Sequence, residues 1–265
     1  MERVMSRMHL FEWEDQRWFP PFLRNAMTEF LAFLSHRTGM FQPVVPMILS
    51  ALRHAPIQRI VDLGSGSGGG LAAIADQLKA EHGALELLFT DYFPNEHGVS
   101  VRESFHPVPV DARAVPSELT GLRTMFLSFH HFRPDEARAI LQNAVDAAQP
   151  IATFEAQDRG IGSLLAMVFS PVTVVLVTPL IRPFSWKRLL FTYVVPVIPL
   201  CVMWDGVVSS LRTYAPVELQ ALIEGLEGGA KFEWTVGQVK SGPSRITYLV
   251  GVPATPVVPE LDVTA

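Results

Sequence analysis

The stretch Arg59-Ile-Val-Asp-Leu-Gly-Ser-Gly-Ser-Gly-Gly-Gly-Leu71 decides the fold that this sequence predicts. Ile60, Val61 and Leu63 form a short apolar run, which is typical of a strand buried in a parallel sheet. The residues that follow, up to the second Leu, are all glycine or serine, so the backbone can turn sharply and approach a ligand closely. Apolar side chains then recur at helical spacing over residues 71–79. A strand, a glycine turn and a helix in this order predict a nucleotide-sized cradle with free N–H groups.

The glycine pattern alone leaves the ligand open. Gly64, Gly66 and Gly69 match the dinucleotide pattern G-x-G-x-x-G, so an NAD-dependent oxidoreductase is one candidate. A tight strand-to-helix turn without any ligand is another. Asp62 stands two residues before the first glycine, and its negative charge favours a ligand with a positive amino group over one with a pyrophosphate.

Composition excludes several classes of function. The net charge is −5 and no basic run is present, which argues against nucleic acid as a partner. The single cysteine, Cys201, excludes an internal disulfide framework and indicates a reducing, cytoplasmic compartment. Residues 1–15 carry charges throughout and lack the apolar segment of a secretory signal. No metal-ligand spacing occurs, so no metal site is predicted.

Alternating strand and helix patterns after the glycine turn predict an α/β fold. Strands are expected at 85–90, 105–110, 124–129 and 151–154. Ligands of open α/β sheets bind at the carboxyl ends of the strands, and polar residues stand at these predicted ends. The residues in these positions are Asp62, Asp91, Asp111, His130 and Glu155.

Four pieces of this sequence together resemble the class I S-adenosylmethionine-dependent methyltransferases. They are Val61-Asp-Leu-Gly-Ser-Gly-Ser-Gly68, Asp91, Asp111 and Phe129-His-His-Phe132. The similarity covers about residues 43–155 and resumes near Arg212-Thr-Tyr-Ala-Pro-Val-Glu-Leu219, where the family has a late helix. The resemblance implies a Rossmann-like, seven-stranded, mostly parallel sheet with helices on both faces. It also implies a final antiparallel strand pair, at 232–239 and 245–252.

The resemblance implies S-adenosyl-L-methionine as the cofactor and gives roles to individual residues. Asp62 and the loop from Gly64 to Gly68 would hold the methionine part, and residues 128–130 would line the reactive end. Asp91 would take the ribose, and Asp111 with Ala112 would take the adenine. The full set of predicted cofactor-binding residues is Asp62, Gly64, Ser65, Gly66, Gly68, Asp91, Tyr92, Asp111, Ala112, Ser128 and Phe129.

Methyl transfer from a sulfonium is a direct displacement. The protein therefore mainly has to hold the nucleophile, the methyl carbon and the sulfur in line in a dry site. An acceptor that loses a proton also needs a base. His130 and His131 are the predicted candidates because imidazole titrates near working pH, and Glu155 is a third. A purely structural role is the alternative for each histidine, and one of the two is expected to point away from the site.

An uncharged region after the fifth predicted strand departs from the family pattern. Residues 161–181 and 189–204 contain no acidic or basic side chain, and a basic segment with Trp186 separates them. The first run is long enough to cross a bilayer as a helix, but prolines interrupt both runs. Three interpretations stay open: a lid around a lipophilic substrate, a monotopic or re-entrant membrane contact, and a homodimer interface or core extension.

The predicted organisation has five segments. They are an N-terminal helical cap (1–42), a cofactor-binding Rossmann-like core (43–160), an apolar lid or insertion (161–211), a helix and strand pair that complete the core (212–253), and a tail (254–265). The sequence thus predicts a methyltransferase for a small lipophilic or membrane-associated acceptor, cytoplasmic or peripheral to the membrane. An NAD-dependent oxidoreductase and a non-catalytic cofactor-binding or membrane-associated protein are the alternatives.

Overall fold

A computed structural model describes residues 5–94 and 105–254 of the chain. Its strands form one sheet in the order β2-β1-β3-β4-β6-β5. The strands β1 to β4 pair in parallel, and β6 runs antiparallel to both of its neighbours, β4 and β5. The strand bounds are β1 (Arg59–Leu63), β2 (Glu86–Thr90), β3 (Leu122–Phe126), β4 (Ile151–Glu155), β5 (Phe232–Ser241) and β6 (Ser244–Pro253).

Helices pack on both faces of the sheet. Successive strand residues point to opposite faces, so Ile60 joins an apolar cluster with α2 and α4 while Val61 joins one with α5 and α10. The helix bounds are α1 (Pro21–Thr38), α2 (Val45–Leu52), α3 (Gly69–Ala72), α4 (Ala75–His82), α5 (Pro134–Asp146), α6 (Ile161–Val168), α7 (Ser170–Val177), α8 (Trp186–Leu189), α9 (Val197–Arg212) and α10 (Pro216–Ile223).

The late helix and the final strand pair expected from the family resemblance are confirmed. Helix α10 begins at Pro216, where the missing N–H costs nothing, and the side chain of Glu218 accepts the N–H of Ala215. Strands β5 and β6 form a hairpin that turns at Gly242, whose φ of 56° lies in the left-handed region.

The expected seven-stranded, mostly parallel sheet is corrected to a mixed sheet of six strands in the described residues. The strand predicted at 105–110 is wrong, because only Phe105 pairs there, in a single bridge to Phe89. Pro107 and Pro109 have no N–H to donate to a neighbouring strand, which explains why no strand forms at 105–110. Residues 95–104, which precede it, lie outside the described residues.

The uncharged region after β4 folds into helices α6 to α9. Apolar side chains of α7, α9 and Ile181 pack against Ala26, Met27 and Phe30 of α1. The single spanning helix considered for residues 161–181 is broken between α6 and α7. In the described residues no single helix is long and apolar enough to span a membrane. Two bent pairs, residues 161–180 and 186–212, reach that length and composition together.

Candidate functional site

The turn after β1 requires its glycines. Gly64, Gly66 and Gly68 have φ values of 67°, 54° and 86°, which L side chains rarely adopt. A Cβ on Gly64 would lie 3.1 Å from the side chain of Ser128. The turn leads at Gly69 into the short helix α3, which α1 covers. The glycines therefore bring the backbone itself close to this side of the site.

A cavity opens where β1, β2 and β3 end. Its volume of about 340 Å³ lies within the usual range for small-molecule sites. The N-terminal segment and α1 close its other side through residues that include Glu14, Asp15 and Thr28. Most of the predicted site residues meet here. Those that line the cavity are Gly64, Ser65, Gly66, Asp91, Tyr92, Asp111, Ala112, Ser128 and His131.

The remaining predicted residues lie behind the cavity wall: Asp62, Gly68, Phe129, His130 and Glu155. Asp62 is 1 % exposed, and its carboxylate accepts the hydroxyl of Thr124 at 2.7 Å. Burial raises the pKa of Asp62 to about 7. Its carbonyl oxygen accepts the hydroxyls of Ser65 and Thr90, so Asp62 anchors the glycine turn from below.

Asp91 connects the end of β2 to the glycine turn. Its carboxylate accepts the backbone N–H of Gly66 and that of Phe93, both at 2.7 Å. Burial raises the pKa of Asp91, while these two donors oppose the increase. Each oxygen keeps acceptor capacity, so the side chain can still bind hydroxyl groups from the cavity.

Asp111 is held by an arginine. Arg113 contacts both carboxylate oxygens, at 2.9 and 2.7 Å, and these hydrogen bonds lower the pKa of Asp111. Arg113 also pairs with Glu136 at 2.7 Å. The Asp111 side chain also accepts the N–H of Arg113 and so caps the turn that begins at Ala112, which lines the cavity.

The two histidines stack with ring centroids 4.3 Å apart in the turn after Ser128. His130 is 2 % exposed; Nδ1 lies 2.8 Å from Oε2 of Glu155, and Nε2 lies 3.8 Å from Oε1 of Glu12. Only His131 reaches the cavity, so one histidine does point away from it. Of the two predicted candidate bases, His131 lines the cavity and His130 is buried behind it.

An ion network that sequence reasoning missed surrounds His131. Its Nδ1 lies 2.8 Å from Asp15 and 3.0 Å from Glu12, and Arg212 lies 2.6 Å from Asp15. Burial lowers the pKa of His131, but the charges of Glu12 and Asp15 outweigh it and raise that pKa well above its ordinary value. The acidic run at 12–15 was visible in the sequence, yet nothing local connected it to residues 131 or 212.

The N-terminal strap, residues 7–16, carries these acids across the site. Its backbone N–H groups at Trp13 and Glu14 donate to the carboxylate of Asp205 in α9. Burial, with the charge of Asp205, raises the pKa of Glu14 to about 8. The strap thus places protonatable acids at the cavity and ties α9 to the histidine turn.

No family model matches this chain, and no curated protein matches it. Solved structures do match, among them human N-acetylserotonin methyltransferase in complex with SAM, at 14 % identity and a TM-score of 0.46. That match covers 85 % of this chain and 56 % of the human enzyme, so the chain spans about half of its length. The plantazolicin methyltransferase in complex with SAH matches at 10 % identity and 0.48, over 88 % of each chain.

A Rhodobacter sphaeroides protein with the provisional name Zn-dependent alcohol dehydrogenase matches at 9 % identity and a TM-score of 0.48. That match covers 86 % of this chain and 98 % of the other. The strand order, the reversed β6 and the glycine turn beside Asp91 confirm the resemblance to class I methyltransferases at the level of the fold.

Proposed function

We propose that this chain is an S-adenosylmethionine-dependent methyltransferase acting on a small lipophilic acceptor. One observation carries the proposal: the glycine turn, Asp91, Asp111 with Ala112, and Ser128 line a single cavity. The turn, Asp91 and Ser128 follow the ends of β1, β2 and β3, and Asp111 with Ala112 lies in the connection between β2 and β3. Their convergence is what the family resemblance predicts for the cofactor site. S-adenosylmethionine, when bound, supplies a methyl group on a positively charged sulfur.

The contacts of the glycine turn argue against a pyrophosphate ligand. The carboxylate of Asp91 lies against the glycine turn and would repel a phosphate group placed there, although Arg17, Arg24 and Arg113 add positive charge elsewhere in the lining. The backbone N–H of Gly66, which a dinucleotide would use for its pyrophosphate, already donates to Asp91. The NAD-dependent alternative is therefore disfavoured by the contacts of the turn.

An apolar part of the wall supports a lipophilic acceptor. Apolar and aromatic side chains of Leu31, Phe93, Phe126 and Phe132 line the cavity. Such walls exclude water and hold an acceptor by shape, which is the main requirement for an in-line displacement. Residues 161–204 do not line this cavity, because α1 lies between the cavity and these residues. They would therefore not contact an acceptor bound in the cavity.

Calorimetry with S-adenosylhomocysteine and NAD tests the proposal. We expect saturable binding of S-adenosylhomocysteine and no heat from NAD. The matched control is Gly66→Val, because a side chain there would meet the Thr28 side chain at 3.0 Å in a left-handed backbone and should remove binding. Binding of NAD alone would make the chain an oxidoreductase. Binding of S-adenosylhomocysteine without turnover of any acceptor would favour the non-catalytic alternative.

We further propose that His131 is the base for acceptors that lose a proton. Because its pKa is raised, His131 is an imidazolium at neutral pH. It loses this proton as the pH rises, and only the neutral imidazole can then accept a proton from the acceptor. The wild-type rate should therefore increase from pH 7 into the alkaline range. In His131→Gln the alkaline rate should fall about a hundredfold and this increase should vanish.

The pH–rate profile of the two proteins, measured with an acceptor found by turnover, checks this expectation. His36→Gln is the control, because His36 is exposed at the end of α1 and should leave the profile unchanged. A His131→Gln profile that keeps the wild-type shape and loses only a few-fold in rate would assign His131 to packing and catalysis to positioning alone.

A further inference from the structure

An extended apolar face covers helices α6 to α9 and their connections. Ile161 and Trp186 are each 77 % exposed and Val194 is 71 % exposed, at three separate points of this face. Large apolar side chains exposed singly are normal on proteins, but contiguous sets mark interaction sites. The apolar face consists of Ile161, Leu165, Val168, Phe169, Val172, Val175, Leu176, Leu180, Phe184, Trp186, Leu190, Tyr193, Val194, Val195, Leu200 and Trp204.

Helices α6 and α7 are not core helices of a globular protein. Helix α6 buries no residue, and α7 buries only Ser170 and Val174. Both helices are nonetheless almost wholly apolar in sequence. An apolar helix with so little buried surface needs an apolar environment outside the protein.

The charge pattern of the face favours lipid over a second copy of the chain. Protein interfaces have an apolar centre with a polar rim, whereas residues 161–181 and 189–204 contain no charged side chain at all. The charges between the two runs are basic, and Arg182 and Lys187 are exposed next to Trp186. Trp beside basic residues at the margin of an apolar surface is the composition of segments that lie in the headgroup region.

The packing of α9 limits how deep this face can enter a bilayer. Asp205 and Arg212 of α9 are buried in the protein and bound to the N-terminal strap, so this helix cannot leave the body to cross the membrane. The two bent helix pairs turn by 46° and 78° at their breaks. A broken, partly anchored set of helices suits a surface contact rather than a span.

We propose that the apolar face docks on a lipid bilayer as a monotopic contact, with Arg182 and Lys187 at the headgroups. Two layers then separate the bilayer from the cavity, namely α7 with α9 and, behind them, α1. Met27 and Phe30 of α1 pack toward α7 and α9, while Thr28 of α1 lines the cavity. A helix is about 10 Å across, so these two layers place the bilayer surface about 20 Å from the proposed acceptor site. The docking itself does not depend on the proposed methyltransferase activity.

Sedimentation of the full chain with vesicles tests the proposal. The probes are vesicles of phosphatidylcholine alone and of phosphatidylcholine with phosphatidylglycerol. We expect the wild-type chain to bind both, with stronger binding to the anionic mixture. The double variant Leu176→Asp with Val194→Asp should lower the partition coefficient by about tenfold or more, because it places charge in the acyl region.

Matched variants separate the contribution of the apolar face to vesicle binding from that of the basic residues. Val217 of α10 is 74 % exposed and lies outside the apolar face, so Val217→Asp should bind vesicles as the wild type does. Lys187→Glu should weaken binding to anionic vesicles about threefold to tenfold and leave neutral vesicles nearly unchanged. Thermal melting and S-adenosylhomocysteine calorimetry on the same variants show whether the fold and the cofactor site survive.

Two results would overturn the docking proposal. The wild-type chain could stay in solution with both kinds of vesicle. Alternatively, the lipid-free chain could be a dimer that Leu176→Asp dissociates, which would assign the face to a second copy. Loss of vesicle binding with intact S-adenosylhomocysteine binding, and the reverse, keep this proposal and the proposed function distinguishable.

Discussion

Replacing Asp91 with asparagine is expected to weaken S-adenosylhomocysteine binding by about a hundredfold or more. Asp91 accepts the N–H of Gly66 and that of Phe93, and in the proposed complex it also accepts the ribose hydroxyls. Hydrogen bonds to a charged group contribute about 1.5–3 kcal/mol each, and about 2.7 kcal/mol is a hundredfold in affinity. The asparagine amide has only one oxygen, so its NH₂ group would face one of these N–H donors.

Calorimetry on Asp91→Asn and on Asp146→Asn makes this comparison. Asp146 is exposed at the end of α5, where it accepts the side chain of Gln142, so its replacement should leave binding unchanged. A Kd for Asp91→Asn that equals the wild-type value would show that Asp91 only organises the turn and does not contact the ligand.

Replacing Gly70 with alanine is expected to lower the free energy of unfolding by about 3 kcal/mol, at the upper end for overpacking. A Cβ at this position would lie 2.3 Å from Cβ of Phe126 and 2.4 Å from its Cγ. Phe126 cannot easily move, because its ring packs between Phe41 and Phe154 at 5.0 and 5.1 Å. Urea unfolding of both proteins measures the change.

Gly162→Ala is the matched control for this substitution. A Cβ there would meet nothing within 4 Å, and the residue lies in α6 without a positive φ. Alanine is the better helix former by about 1 kcal/mol, so this variant should be as stable as the wild type or slightly more stable. Equal stability of the two variants would mean that Gly70 of α3 does not pack tightly against Phe126 of β3.

The local parts of the fold were predictable because their signals lie within a few residues of one another. The strand–glycine–helix stretch at 59–71, the position of Asp91 after the second strand and the final hairpin all follow from patterns of short range. The missing seventh strand shows where such patterns fail. Residues 105–110 look apolar and extended, yet two prolines remove the donors that pairing needs.

The electrostatics of the site could not be predicted, because they depend on contacts across the whole chain. Asp15 binds Arg212 and His131, which stand far from it in the sequence. Without that contact His131 looks like an ordinary histidine, and its raised pKa is invisible. Asp62 was predicted beside the ligand because of its place in the motif, whereas the structure places it below the turn, bonded to Thr124.

The N-terminal strap has a practical consequence for anyone who shortens this chain. Arg7 donates to the carbonyl oxygens of His130 and Phe132, and Arg212 donates to that of Leu10. Deleting the first sixteen residues to obtain a tidier fragment would leave buried Arg212 and Asp205 without their partners. Such a fragment would lack a side of the cavity, so its inactivity would say nothing about the intact protein.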